Sequence, residues 1–109
     1  VIHFSENGIY KIVSELIFDP PQYDKKALFH IYNANNTLVS KLKNGNTLTT
    51  NEKYDLLFLP STYLILKLNG FQDAKQRLIE AKPYIKEYSE ELYQEFKEVM
   101  RIFRKVKYQ

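Results

Sequence analysis

From Phe71 to Val106 the chain carries one apolar stripe at helical spacing, running through Phe71, Ala74, Leu78, Ala81, Ile85, Tyr88, Leu92, Phe96, Val99, Phe103 and Val106. Steps of three and four residues set all of these on one side of an α-helix. An unbroken helix of that length would run roughly 50 Å at 1.5 Å per residue, further than a small domain can cover. The stripe therefore predicts a partner surface, and a second copy of the chain is the simplest one. Leu78, Ile85, Tyr88, Leu92, Phe96, Val99 and Phe103 are the residues expected at that homodimer seam. Pro83 lies inside it, where a proline forfeits a backbone hydrogen bond and clashes with the preceding turn. The stripe keeps its phase through Pro83, and Lys82 is a poor N-cap for a restart. A kinked but continuous helix is the expectation.

Upstream, turn signals fall at Asn7-Gly8, Asp19-Pro20-Pro21, Asn33 to Asn36, Asn44-Gly45-Asn46, Pro60-Ser61 and Asn69-Gly70. Ile9, Ile12, Val13, Leu16 and Ile17 fit a helix that starts after Asn7 and ends before the two prolines. Asp24 to Tyr32 fits another, N-capped by Asp24 and burying Leu28, Ile31 and Tyr32. Thr37 to Lys43 fits a third, capped by Asn35 or Asn36 and stopped at Gly45, where a left-handed residue is wanted. The same pieces also fit strands, because Asn44-Gly45 is a strong hairpin signal. Leu56 to Leu59 and Tyr63 to Leu66 predict two strands joined around Pro60-Ser61, apolar on both faces and so covered on both.

The expected fold is α+β and a single domain overall: a compact part over residues 1–70 containing a β-hairpin, then the long helix over 71–109. The alternative is an antiparallel β-meander backed by the C-terminal helix.

Composition narrows the chemistry. The chain has 109 residues and no cysteine, which removes disulfides, thiol catalysis and sulfur-ligated zinc. No stretch reaches the roughly 18 uncharged apolar residues of a membrane span, and the first residues lack the pattern of a signal peptide. A cytoplasmic setting without membrane contact is expected. The net charge of +3 is compatible with nucleic acid without demanding it.

His3 and His30 have no motif around them, and there is no phosphate loop or metal-binding signature. Catalytic residues, metal and cofactors are therefore not expected, and the chain is not read as an enzyme. Glu87, Glu90, Glu91, Glu95 and Glu98 lie mostly off the stripe, as a solvated face would. Arg101, Arg104, Lys105 and Lys107 fall at the helix end, where cations match the helix dipole and where they can also meet phosphates. Asn35-Asn36-Thr37 matches the glycosylation sequon, a pattern short enough to arise by chance.

Asp24 to Tyr32, the Asn-rich turn and Thr37 to Asn44 together resemble a helix-turn-helix. Its second helix would bury Leu38, Val39 and Leu42. With a preceding helix, a hairpin and a long terminal helix, the order resembles the winged-helix superfamily of DNA-binding proteins, many of which dimerise through a C-terminal helix. That resemblance implies that Asn36, Thr37, Ser40, Lys41, Lys43 and Asn44 face bases or phosphates. The expected function is then a dimeric DNA-binding protein acting as a small transcriptional regulator, with double-stranded DNA as partner. The alternative is a non-catalytic protein–protein interaction module built on an antiparallel sheet and a helix.

Overall fold

The computed structural model describes residues 6–19 and 22–108. The described residues form six α-helices: α1 (Glu6–Phe18), α2 (Lys25–Lys43), α3 (Thr50–Leu57), α4 (Leu59–Leu68), α5 (Ala74–Tyr88) and α6 (Glu90–Lys107). No strand occurs among the described residues. Both the α+β fold with its hairpin and the β-meander are thereby overturned, and the winged-helix architecture goes with them.

Of the two runs read as strands, 56–59 spans the end of α3, the turn at Phe58 and the first residue of α4, while 63–66 lies inside α4, the centre of the molecule. It packs against all five other helices. Leu59, Pro60, Ser61, Tyr63, Ile65 and Leu66 are buried around it, so nearly its whole circumference is apolar and no single apolar stripe stands out. A short run of that kind has the same pattern in a buried strand and a buried helix. Pro60 stands at the start of α4, where its missing N–H is one that the first turn leaves unpaired anyway. Ahead of it, Thr49 and Glu52 form a reciprocal capping box. The Thr49 hydroxyl accepts from the Glu52 amide at 3.1 Å, and the Glu52 carboxylate accepts from the Thr49 amide at 2.9 Å.

The helix-turn-helix is also replaced. Residues 33–36 lie in the middle of the 19-residue α2 rather than in a turn. The three asparagines there, of modest helix propensity, cost about 0.7 kcal/mol each at most, and buried Leu28, Leu38, Val39 and Leu42 outweigh them. The expected boundaries of α2 do hold: the Asp24 side chain accepts from the Ala27 amide at 2.7 Å, and Gly45 follows the helix end with φ +72°. The helix expected over the first described segment likewise forms as α1, ending at Phe18.

The long C-terminal helix is not one rod. Pro83 sits inside α5 as expected, but the chain breaks six residues later at Ser89, which has φ −161° and ψ 120°. The Ser89 hydroxyl accepts from the Leu92 amide at 3.2 Å and starts α6. Ser89 lies off the stripe, so the interval from Ile85 through Tyr88 to Leu92 keeps its phase across the break. The whole molecule is 32 Å in its longest dimension, well short of a 50 Å helix.

The broken rod folds onto its own chain. α6 packs against α1, α3, α4 and α5, while α5 packs against α2, α4 and α6. Of the seven residues assigned to the homodimer seam, Leu78, Ile85, Leu92, Phe96, Val99 and Phe103 are buried in this single core, and Tyr88 is packed against it. The premise that one copy cannot cover the stripe is therefore corrected.

Polar links join the helices over the core. Tyr32 packs on Phe71 with ring centroids 4.7 Å apart, and its hydroxyl donates to Asp73 at 2.6 Å. Leu48 donates its amide to the Tyr88 hydroxyl at 3.0 Å, tying the α2–α3 connection to the end of α5. Lys41 of α2 bonds Glu52 of α3 at 2.8 Å. The Lys41 ammonium and the Thr49 amide together hold the Glu52 carboxyl below the usual glutamate range.

A group whose pKa is lowered on folding adds stability above its unfolded pKa and loses it as pH falls through the folded one. Thermal melting of the wild type should therefore weaken as pH drops below the ordinary glutamate value. Glu52→Gln should flatten part of that acid limb. Superimposable pH–melting profiles for the two proteins would remove Glu52 from the account.

Candidate functional site

Three helices each send one stripe of residues to a common groove. From α4 come Pro60, Tyr63, Leu64 and Lys67; from α5, Lys75, Leu78, Ile79 and Lys82; from α6, Met100, Phe103, Arg104 and Lys107, with Tyr108 just beyond. Each set follows the same i, i+3, i+4, i+7 spacing, so the groove runs along about 10 Å of every helix. It encloses about 320 Å³, the small end of the roughly 300–1,000 Å³ of ligand pockets.

The floor is apolar. Leu78, Met100 and Phe103 show only 8–9% of their surface. Two apolar side chains stand proud of it: Ile79 is 49% exposed and Tyr108 is 77% exposed. Tyr63 is almost fully buried, and burial pushes its phenol up to about 12.

The charge around this floor has one sign. Among the described residues, Lys67, Lys75, Lys82, Arg104 and Lys107 line the groove without a carboxylate, and none of the five is ion-paired. The Lys107 ammonium lies 5.4 Å from the Tyr108 ring centroid and 6.0 Å from that of Phe103. Helix stability accounts for part of the set, because Lys67, Arg104 and Lys107 occupy the last turns of α4 and α6, where cations favour the dipole. It does not account for Lys75. That residue is in the first turn of α5, the end at which a cation is disfavoured, and the N-cap acid there, Asp73, bonds Tyr32 and Arg77 instead. Nor does it account for Lys82 in mid-helix.

The residues assigned to DNA lie elsewhere. Asn36, Thr37, Ser40, Lys41 and Asn44 do come together, in a shallow depression along the C-terminal half of α2 that also includes Asn46. Its cation is engaged within the chain, since Lys41 bonds Glu52. Lys43 stands apart from the depression, 3.6 Å from Glu80 and over the Tyr84 ring at 5.8 Å.

The basic end of α6 divides as well. Arg101 bonds Glu98 and reaches Glu6 of α1 at 3.1 Å, which holds its guanidinium protonated far above the usual range. Arg104 and Lys107 face the groove, and Lys105 is exposed outside it. Glu90 and Glu91 sit in the first turn of α6, as dipole matching predicts.

The remaining candidates place as follows. Asn35 of the sequon is buried in α2, only 8% exposed. His30 is on the surface, and His3 lies outside the described residues. Among the described residues no cluster of His, Cys, Asp or Glu could hold a metal ion, and no helix is long and apolar enough to cross a membrane. Sequence reasoning missed Lys67, Lys75, Lys82 and Ile79. The signal that could have found them is the repeated cation at the end of an i, i+3, i+4, i+7 stripe, legible only once residues 59–68 are read as a helix.

Fold and site together define an all-helical domain with a cation-lined, apolar-floored groove. The chain belongs to the family described as a domain of unknown function, DUF5929, whose model matches residues 1–109. No curated protein and no solved structure matches it.

Proposed function

We propose that this chain is a non-catalytic binding module that holds an anionic, partly apolar partner in the α4–α5–α6 groove. One observation carries the reading: five cations with no ion pair among the described residues surround an apolar floor from which Ile79 and Tyr108 project. The ionisable groups of the groove are cations and two phenols. Among the described residues it contains no carboxylate or imidazole to move a proton, which favours holding a ligand over transforming one. The interaction-module alternative survives in this form, on helices instead of a sheet. The DNA expectation moves with it, since duplex DNA becomes one anion to be tried on the groove.

Amide chemical-shift mapping with polyglutamate and with random duplex DNA at low salt tests the reading. Shifts should concentrate on residues 64–67, 75–82 and 100–108 and fade as salt screens the cations. Lys75→Gln combined with Lys82→Gln should weaken binding about tenfold, because both charges face the ligand without a competing acid. Shifts centred on residues 36–44 would return the site to α2. Binding that ignores the double substitution would remove the groove from the function.

A further inference from the structure

We infer that the occupant of the groove is an acidic amphipathic helix of a partner protein, laid along α4, α5 and α6 with its apolar face inward. This rests on the reading of the groove as the binding surface and adds the chemistry of what fills it.

Three features of the site select that occupant. First, the groove is half open to solvent along its length. A small ligand is normally enclosed over most of its surface by its pocket, whereas a helix laid in a trough needs only one face covered. Second, the walls are three helical stripes with matching spacing over about two turns. A helix presenting apolar side chains at i, i+3, i+4 and i+7 has the same repeat, so its ridge can sit between theirs. Third, polarity is arranged in layers, with apolar surface at the bottom and cations along the edges. A polar, phosphate-rich surface would leave the exposed part of Ile79 without an apolar partner, since protein–nucleic acid interfaces are dominated by charge and hydrogen bonding. An acidic amphipathic helix matches both layers at once. Its apolar stripe meets Ile79 and the floor, and its flanking carboxylates meet Lys67, Lys75, Lys82, Arg104 and Lys107.

The placement of Ile79 strengthens the case. It is one of the few large apolar side chains left half exposed, and it sits between Lys75 and Lys82 on the same wall. Met100 adds a flexible thioether to the floor, a side chain that adapts its shape to different apolar anchors.

The test uses the whole chain and synthetic peptides. One peptide carries leucine at the first and fourth positions of each heptad, with glutamate and alanine elsewhere. A second has the same composition in scrambled order. Polyglutamate, duplex DNA and anionic phospholipid vesicles complete the panel. The patterned peptide should bind at least about tenfold more tightly than the scrambled one and gain helicity on binding. Ile79→Ser should weaken it by about fivefold, the value of burying the exposed half of an isoleucine. The same substitution should leave polyglutamate and DNA binding unchanged. Lys75→Glu with Lys82→Glu should weaken every anionic probe, and circular dichroism should show each variant folded, since all three positions are at the surface.

Equal binding of patterned and scrambled peptides, or insensitivity of the patterned peptide to Ile79→Ser, overturns the helical partner while leaving an anion-binding groove. Preferential binding of DNA or vesicles through the same lysines does the same and names the replacement. Failure of the lysine substitutions to affect any probe overturns the groove itself.

Discussion

Replacing Phe96 with alanine is expected to lower unfolding stability by about 3–5 kcal/mol, the range for truncating a fully buried phenylalanine. Phe96 is 1% exposed, the largest of the fully buried side chains, and α6 carries it into the core shared with α1, α3, α4 and α5. A domain of this size has roughly 5–15 kcal/mol in total, so the variant should sit near the edge of folding. Urea denaturation checks the value, with Leu68→Ala as control. Leu68 is 76% exposed, and its truncation should change stability by no more than about 0.5 kcal/mol. The transition midpoint also bears on the packing of α6. Where Phe96 is covered by its own chain, as here, the midpoint is independent of protein concentration. In a seam between two copies it would rise with concentration, because association stabilises by mass action. A concentration-dependent midpoint, or a loss below about 1 kcal/mol, would refute this placement of Phe96.

The sequence was legible where a residue marks a helix end by its own chemistry. Asp24 caps α2 and Gly45 follows it in the left-handed region, both as expected from residue type. Two equally chemical signals were overlooked. Thr49-Thr50-Asn51-Glu52 is a capping box directly ahead of an apolar run, and it announces α3. Ser89-Glu90-Glu91 is an N-cap followed by acids in the first turn, and it announces α6.

Periodicity misled in two opposite ways. In α4, contact with every other helix makes nearly the whole circumference apolar, so the helical period disappears and the run resembles a doubly covered strand. Across Ser89, the period persists although the helix does not, because α5 and α6 turn their apolar faces into the same core. Helical phase alone therefore could not separate one long rod from two helices folded together. The Asn-rich stretch at 33–36 shows a third limit. Residue types common in turns stay helical when Leu28, Leu38, Val39 and Leu42 on either side have one core to fill.

The candidate site was less legible than the fold, because it depends on those same errors. With residues 56–66 read as a hairpin, Lys67 has no helix to end, and the stripe from Pro60 to Lys67 has no partners on α5 and α6. In sequence, Arg104 and Lys107 form one basic tail with Arg101. The folded chain separates them, committing Arg101 to Glu98 and Glu6 and leaving the other two facing the groove. Lys41 and Lys43 stand beside short polar residues in sequence, and the acids that engage them, Glu52 and Glu80, come from other helices.

Pro83→Ala is expected to stabilise the protein by roughly 2 kcal/mol. A proline in a helix interior costs about 3 kcal/mol through the lost hydrogen bond and the clash with the preceding turn. Part of that is offset by about 1 kcal/mol, because proline also restricts the unfolded chain. Pro83 is exposed in α5, so no core contact is forfeited by removing its ring. With alanine, the restored amide can donate to the Ile79 carbonyl four residues back. The melting temperature should rise by several degrees, at about 4 °C or more per kcal/mol for a domain of this size. An unchanged or lower melting temperature would mean that α5 is already adapted to the proline. The carbonyl concerned belongs to Ile79 and the neighbouring residue is Lys82, both in the groove wall, so peptide binding should be measured on the same variant. Higher stability with weaker binding of the patterned peptide is the expected pair of results if the proline shapes that wall, since function commonly retains residues that stability would discard. Higher stability with unchanged binding would confine Pro83 to a local cost within α5.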